Sequence, residues 1–352
     1  LRPALRVYII DSIILTGLGI RRVFRSREAN LVQASRHQGL RPAWLPVLLL
    51  MCAPHAPAAP TAAASTTTAA PARIDLDAFE AQRKSIALPD GETLGYVLLG
   101  DPAGPPVVLI HGYTDNVRDW VPLVPYLSPR FRLILVDLRG HGRSGKPECC
   151  YTRLDFAYDV KLLLDALKVQ RADIVGHSMG SFVAQTLAEY WPERTRRVVL
   201  ISSSGGTWPA AAPPPYETQI RQLKEPIDPD SPFMVEWWSS PTPVDADFIR
   251  RQRRDAASIP LRVWLAVLDQ GRIGGNLQQT LPLLKAPTLL IWGGKDPIIP
   301  AEGQASLRRA LPQAQVKVFP DLGHNPFWEQ PQACAEVINA FLAAAPRGAA
   351  AS

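Results

Sequence analysis

The chain lacks any cluster of cysteine, histidine and acidic residues at metal-ligand spacing, and it lacks a glycine-rich phosphate loop. Nothing in it therefore points to a metal ion or a cofactor. Histidine is scarce, with six in 352 residues, so proton transfer near neutral pH has few positions from which to operate. The apolar run at 44–53 is shorter than the about 20 residues a membrane-spanning helix needs, which excludes stable membrane insertion of the mature protein on this segment. A charge excess is also missing where it would matter. The net charge of +6 lies in residues 1–43, where eight arginines face only Asp11 and Glu28, and the rest of the chain is balanced. The motive for a nucleic-acid partner disappears with that division.

What is present begins with the N-terminus. A basic stretch precedes Trp44-Leu45-Pro46-Val47-Leu48-Leu49-Leu50-Met51-Cys52-Ala53, then Ala56-Pro57-Ala58 and a run of Ala, Pro and Thr to about Pro71. Positive flank, short apolar run and small-residue exit describe a secretory signal peptide near residues 40–58, with a second exit at Ala62–Ala64. This points to a secreted or periplasmic protein. Lipidation at Cys52 is the alternative, disfavoured by the bulk of Met51. No methionine precedes Met51, which makes the upstream part a candidate for sequence ahead of the true translation start. Three cysteines follow the signal. Adjacent cysteines bridge only with strain, so Cys334 is expected to pair with Cys149 or Cys150, or all three to stay as thiols.

Residues 1–72 are read as targeting region and low-complexity linker, too poor in apolar residues after Pro54 to fold. From residue 73 short apolar runs alternate with helical patterns. Strands are expected at Leu94–Leu99, Val107–Ile110, Leu133–Val136, Ile174–Val175, Val198–Ile201, Leu289–Trp292 and Val316–Phe319. Helices are expected at Asp155–Leu167, Met179–Trp191, Glu302–Leu311 and Gln332–Leu342. Alternation of this kind gives an α/β fold with a doubly wound, mostly parallel sheet flanked by helices. Residues 206–284 break it: they are rich in Pro and Trp, with helical patches at Asp245–Ala257 and Leu261–Leu268. They read as a helical cap inserted between core segments 73–205 and 285–346, ahead of a short tail at 347–352. Attached at the carboxyl ends of the strands, such a cap roofs the place where open α/β sheets bind ligands.

Ile174-Val175-Gly176-His177-Ser178-Met179-Gly180-Ser181 runs an apolar strand into a helix through Gly-x-Ser-x-Gly, a nucleophile elbow. A serine hydroxyl attacks poorly at neutral pH and needs a base, an acid to orient that base, and donors for the developing oxyanion. His37 and His55 fall in the targeting region, His177 adjoins the nucleophile, and His111 and His141 sit beside glycines at strand ends. His324 follows the last strand on a loop that can reach Ser178, so it is the expected base. Asp296, on the glycine turn after Leu289–Trp292, is the expected acid, since the rival position Ser202–Gly206 holds none. The backbone N–H groups of Met179 and Tyr113 are the expected oxyanion donors, Gly112 letting the Tyr113 amide turn toward substrate.

In this order His111-Gly112, Asp137 to Ser144, Gly176 to Gly180, Gly293 to Asp296 and Gly323-His324 resemble the α/β-hydrolase superfamily over roughly residues 94–345. The resemblance implies acyl transfer through a covalent serine intermediate, and it implies that Asp137 and Arg139 hold loops together. Similar enzymes acting on haloalkanes or epoxides carry Asp at the nucleophile position, which Ser178 excludes. The expected activity is a serine carboxylesterase with a small-molecule ester substrate, small to medium and apolar. Tyr113, His177, Trp208, Trp237, Trp238 and Trp264 are the candidate pocket residues. Lactonase, carbon–carbon bond hydrolase, amidase or aminopeptidase, and cofactor-free perhydrolase use the same triad and stay open. The alternative from another class is a binding protein without turnover, and oligomeric state is not readable. Edman sequencing of the exported protein is expected to start near Ala59; a start before Leu40 removes the secretion reading.

Overall fold

Two patterns organise the chain: fully apolar segments that build a sheet buried on both faces, and amphipathic stretches that cover it. A computed structural model describes residues 75–205, 215–270 and 277–344. The expected signal peptide, linker, Trp208 and C-terminal tail lie outside these residues.

The eight strands are β1 (Lys84–Ala87), β2 (Thr93–Gly100), β3 (Pro106–Ile110), β4 (Arg132–Val136), β5 (Ala172–His177), β6 (Thr195–Ile201), β7 (Thr288–Gly293) and β8 (Gln315–Phe319). They form one sheet in the order β1-β2-β4-β3-β5-β6-β7-β8. β1 and β2 join antiparallel at one edge, and every pairing from β4 to β8 is parallel. The strand order reverses between β3 and β5, the crevice at which open α/β sheets bind ligands. All six residues of β5 and of β7 are buried. β8 differs from the expected buried strand: four of its five residues are exposed, because it is the edge of the sheet. β1 was not expected, and with three exposed residues out of four it carries no apolar signal.

The helices are α1 (Leu76–Ala81), α2 (Arg153–Ala166), α3 (Met179–Tyr190), α4 (Pro215–Arg221), α5 (Pro232–Trp237), α6 (Ala246–Ala257), α7 (Leu261–Gln270), α8 (Leu277–Thr280), α9 (Ala301–Ala310), α10 (Pro326–Glu329) and α11 (Pro331–Ala343). α2 starts at a capping box, Thr152 accepting from the Asp155 N–H while the Asp155 carboxylate accepts from the Thr152 N–H. α2 packs on α3, and α3 packs on β3, β5 and β6. Between β6 and β7 the described residues form helices α4 to α8 and no strand. Among the described residues no helix is long and apolar enough to cross a membrane.

The cysteine expectation is corrected. Cys149 is bonded to Cys150, and Cys334 is a buried thiol on α11. The two neighbours sit on the exposed loop before α2 while Cys334 faces the interior, where burial pushes its thiol up to about 12.

The loop from Leu138 to Cys150 is held from inside. Arg139 Nε donates to Asp159 Oδ2 at 2.6 Å, its second arm meets Asp159 Oδ1, and Nη1 donates to the Cys150 carbonyl at 3.1 Å. Both partners are buried, so removing one strands a charge in the interior. Asp159→Ala is expected to cost about 3–5 kcal/mol and lower the thermal midpoint by roughly 10 °C. Circular-dichroism melts test this, and a midpoint within 2 °C of wild type contradicts a structural role for the pair.

Candidate active site

Ser178 follows β5 and caps α3 with φ 48° and ψ −116°. A side chain there is strained, and the surrounding hydrogen bonds hold it in place. The Ser178 N–H donates to the Ile201 carbonyl at 2.9 Å, and its own carbonyl accepts from the Ser181 N–H at 2.9 Å. The two glycines of the motif are required by close approach. A Cβ on Gly176 would lie 2.3 Å from the Gly180 carbonyl oxygen, and one on Gly180 would lie 2.2 Å from that of Ile110. The motif therefore brings the first turn of α3 against the end of β3.

Asp296 lies on the turn after β7 and His324 on the loop after β8, so both stand at carboxyl ends of parallel strands. His324 Nδ1 is 2.9 Å from Asp296 Oδ2 and 3.0 Å from Oδ1. A carboxylate accepts, so Nδ1 carries the proton and Nε2 the lone pair. Burial pushes the Asp296 carboxyl upward, but His324 and the N–H groups of Ile299 and Ile298 outweigh it and hold the pKa below the ordinary value. The His324 loop is pinned through its carbonyl, which accepts from Ser202 Oγ at 2.7 Å and from His177 Nε2 at 3.1 Å.

The other described histidines are arranged differently. His111 Nδ1 donates to the Gly112 carbonyl at 2.8 Å while its Nε2 accepts from the Leu138 N–H at 3.0 Å. His141 Nδ1 donates to the Arg139 carbonyl at 2.9 Å. Burial holds His111 and His141 at about 3 and His177 well below its ordinary value, so all three are neutral near pH 7. Asp137 accepts from the Val117 N–H at 2.8 Å and the Arg143 N–H at 2.9 Å, so it ties two loops together.

Tyr113 follows β3, and among the described residues neither its N–H nor that of Met179 takes a main-chain acceptor in a loop or turn. The Tyr113 hydroxyl donates to the Trp264 carbonyl at 2.7 Å, which fixes the ring as a wall between core and α7. Ser178, Met179, His177, Tyr113 and His324 line one cavity of about 720 Å³, a volume suited to a small molecule. Asp296 is buried behind the imidazole.

Trp237 and Trp238 line this cavity, and Trp237 Nε1 donates to Thr114 Oγ1 at 3.3 Å. Trp264 does not line it. Its ring is fully buried, Nε1 donates to the Ala256 carbonyl at 3.3 Å, and it packs edge-on beneath Tyr113, so its role is support. Phe233 of the cap completes the aromatic lining together with Phe156, Phe182, Tyr216 and Trp328, which were not expected. Their helical spacing is that of ordinary packing residues, which hides which face meets the cavity. Arg250, Arg251 and Arg253 pair with Asp247, Asp77 and Asp230 and do not line the cavity.

Two acids beside His177 escaped the sequence reading. Asp115, Asp119 and His177 are buried, and ligand-type atoms of the three lie within 4.8 Å of one another. Asp115 also lines the cavity. The signal was an acid three residues after Gly112 and another beside Trp120, on the loop already assigned to the oxyanion.

The profile of the Alpha/beta hydrolase family matches residues 107–337. The dihydrolipoyllysine-residue acetyltransferase component of the acetoin cleaving system of Pseudomonas putida is 32% identical over 267 residues, 72% of this chain and 67% of that protein. Lipase 1 of Psychrobacter immobilis is 28% identical over 302 residues, 80% of this chain and 91% of the lipase. Among solved structures, a hydrolase from Pseudomonas aeruginosa PA01 superposes with a TM-score of 0.65 at 27% identity, covering 74% of this chain and 98% of the other. The profile match runs from the first parallel strand into the last helix, and on that extent the chain belongs to the alpha/beta hydrolase family.

Proposed function

We propose that the protein is a serine hydrolase, a carboxylesterase cleaving small to medium apolar esters through an acyl-serine intermediate. The observation that carries this reading is the 2.9 Å contact of His324 Nδ1 with Asp296, on a loop that shares one cavity with the strained Ser178. In the proposed reaction Ser178 Oγ attacks the ester carbonyl and His324 Nε2 takes its proton. Asp296 holds the tautomer and stabilises the imidazolium, and the Tyr113 and Met179 amides receive the oxyanion. His324 then protonates the departing alcohol. Water enters by the same steps, its proton passing to His324, and the acid leaves with Ser178 restored.

Specificity is assigned to the helical cap, residues 206–284. Its Trp237, Trp238, Tyr216 and Phe233 meet Phe156 and Phe182 of the core around the cavity, an aromatic lining suited to an apolar acyl or aryl group. The likeness to a lipase at 28% identity supports ester chemistry. Export rests on the signal-like sequence at 40–58 and completes the proposal: a mature chain starting near Ala59 and acting outside the cytoplasm.

Purified protein is expected to hydrolyse p-nitrophenyl butyrate, and Ser178→Ala to lower kcat by at least about 10⁴-fold with an unchanged melt. Preference for amides or carbon–carbon substrates by orders of magnitude, in a screen of esters, lactones and aminoacyl arylamides, removes the esterase assignment. Asp296→Asn keeps the volume but no longer enforces the Nδ1–H tautomer, so kcat is expected to fall about 10⁴-fold with little change in KM. A fall below 10-fold in steady-state assays contradicts the role given to Asp296.

A further inference from the structure

Asp115 is placed by the turn that also presents the Tyr113 amide. Its N–H donates to the Gly112 carbonyl at 3.4 Å, and Thr114 before it has φ 66°. The side chain folds back over Gly112: a Cβ there would lie 2.7 Å from Asp115 Oδ2 and 2.8 Å from His177 Nδ1. The residue is 6% exposed, and it lines the cavity shared by Ser178 and His324. Among the described residues no hydrogen bond or ion pair reaches its carboxyl.

The protons around it can be accounted for. The His324 carbonyl can only accept, so His177 Nε2 carries the hydrogen of their 3.1 Å contact and Nδ1 presents a lone pair. That Nδ1 is buried without a hydrogen-bond partner, and 3.6 Å away Asp119 Oδ2 is also buried without one. Asp119 Oδ1 already accepts from Trp328 Nε1 at 2.9 Å. Two acceptors facing each other in the interior repel unless one carries a proton, and a neutral Asp119 supplies it to His177. Burial pushes Asp119 up to about 8, and burial followed by the neighbouring Asp119 pushes Asp115 well above its ordinary value. With His177 served by Asp119, Asp115, which lines the cavity, can turn its proton toward it.

We propose that Asp115 contacts substrate as a neutral carboxylic acid, donating a hydrogen bond to a substrate oxygen held beside the Tyr113 amide. The inference rests on the serine-hydrolase reading above and adds a third donor to the two amides. A buried acid kept protonated is a strong donor to an oxygen that gains negative charge in the transition state. The charged and titratable groups around it are Asp119, Tyr113, His177 and His324, with Arg153 from α2, Tyr216 from α4, Glu236 from α5 and Lys295 after β7 also on the cavity lining. The sign follows from a raised folded-state value: the donor form is present below that raised value and is lost as pH rises through it.

The test is steady-state hydrolysis of p-nitrophenyl butyrate from pH 6 to 10 by wild type, Asp115→Asn, Asp115→Ala and Ser178→Ala, with melts of each. Removing an acid from a buried pair relieves its desolvation, so both Asp115 variants are expected to fold. Asp115→Ala is expected to lose about 100-fold in kcat with little change in KM. Asp115→Asn retains an N–H donor and is expected to stay within about 5-fold of wild type and to lose any decline with rising pH that the wild-type enzyme shows. Wild-type kcat in Asp115→Ala overturns the proposal, as does an Asp115→Asn as slow as Asp115→Ala, which assigns the group to a cationic substrate. A decline with rising pH that persists unchanged in Asp115→Asn overturns it as well. Inactivity of wild type equal to that of Ser178→Ala removes the hydrolase reading and this inference together, whereas an active wild type with an unaffected Asp115→Ala removes the inference alone.

Discussion

The close contact between the first turn of α3 and the end of β3 governs the geometry at the carboxyl edge of the sheet. A methyl group on Gly180 would stand 2.2 Å from the Ile110 carbonyl oxygen, and one on Gly176 would stand 2.3 Å from that of Gly180. Because neither is there, the Ser178 elbow and the His111–Asp115 loop meet across adjacent parallel strands β5 and β3. Tyr113 and Met179, one on each side of that contact, line the same cavity. The backbone strain at Ser178 is held by the bonds to Ile201 and Ser181, and strain held in this way fixes the side chain before any ligand arrives.

The loop carrying His324 reaches the same place through different forces. Trp120, on the turn after β3, stacks on Phe327 of α10 with ring centroids 4.8 Å apart, and both are fully buried. Trp328 Nε1 bonds to the Asp119 carbonyl at 3.0 Å and to its carboxyl at 2.9 Å. His177 packs at 4.9 Å on Phe327 and at 5.0 Å on His324. An imidazole on the loop after the edge strand is thereby attached to the core by aromatic burial, each such side chain contributing on the order of 3 kcal/mol or more. Asp119 belongs to that attachment, so a group that fixes the loop and the group proposed to meet substrate are neighbours.

Much of the fold was legible because its strands are buried on both faces and so are continuously apolar. Seven strands and the four flanking helices were found within a few residues of their ends. β1 escaped because an exposed edge strand needs no apolar pattern, and β8 was assigned a buried environment that its edge position denies it. The positions of the proposed site residues Ser178, Asp296, His324, Tyr113 and Met179 in the fold were legible for a different reason. Each stands within a few residues of the end of an apolar run, so its place at a strand end could be read without knowing how the strands are ordered.

Local sequence determined which residues end which strands, where the elbow turns and which histidine stands on a free loop, because those features depend on neighbours a few positions away. Tertiary structure alone decided which tryptophans face the cavity, turning Trp237 and Trp238 inward while burying Trp264 beneath Tyr113. It alone joined Cys149 to Cys150 rather than to Cys334, since α11 holds Cys334 in the interior. The convergence of Asp115, Asp119 and His177 was beyond sequence for the same reason. Their interaction depends on separations of a few ångströms between segments about 60 residues apart, and electrostatics in a buried site is set by distance and water exclusion rather than by order in the chain.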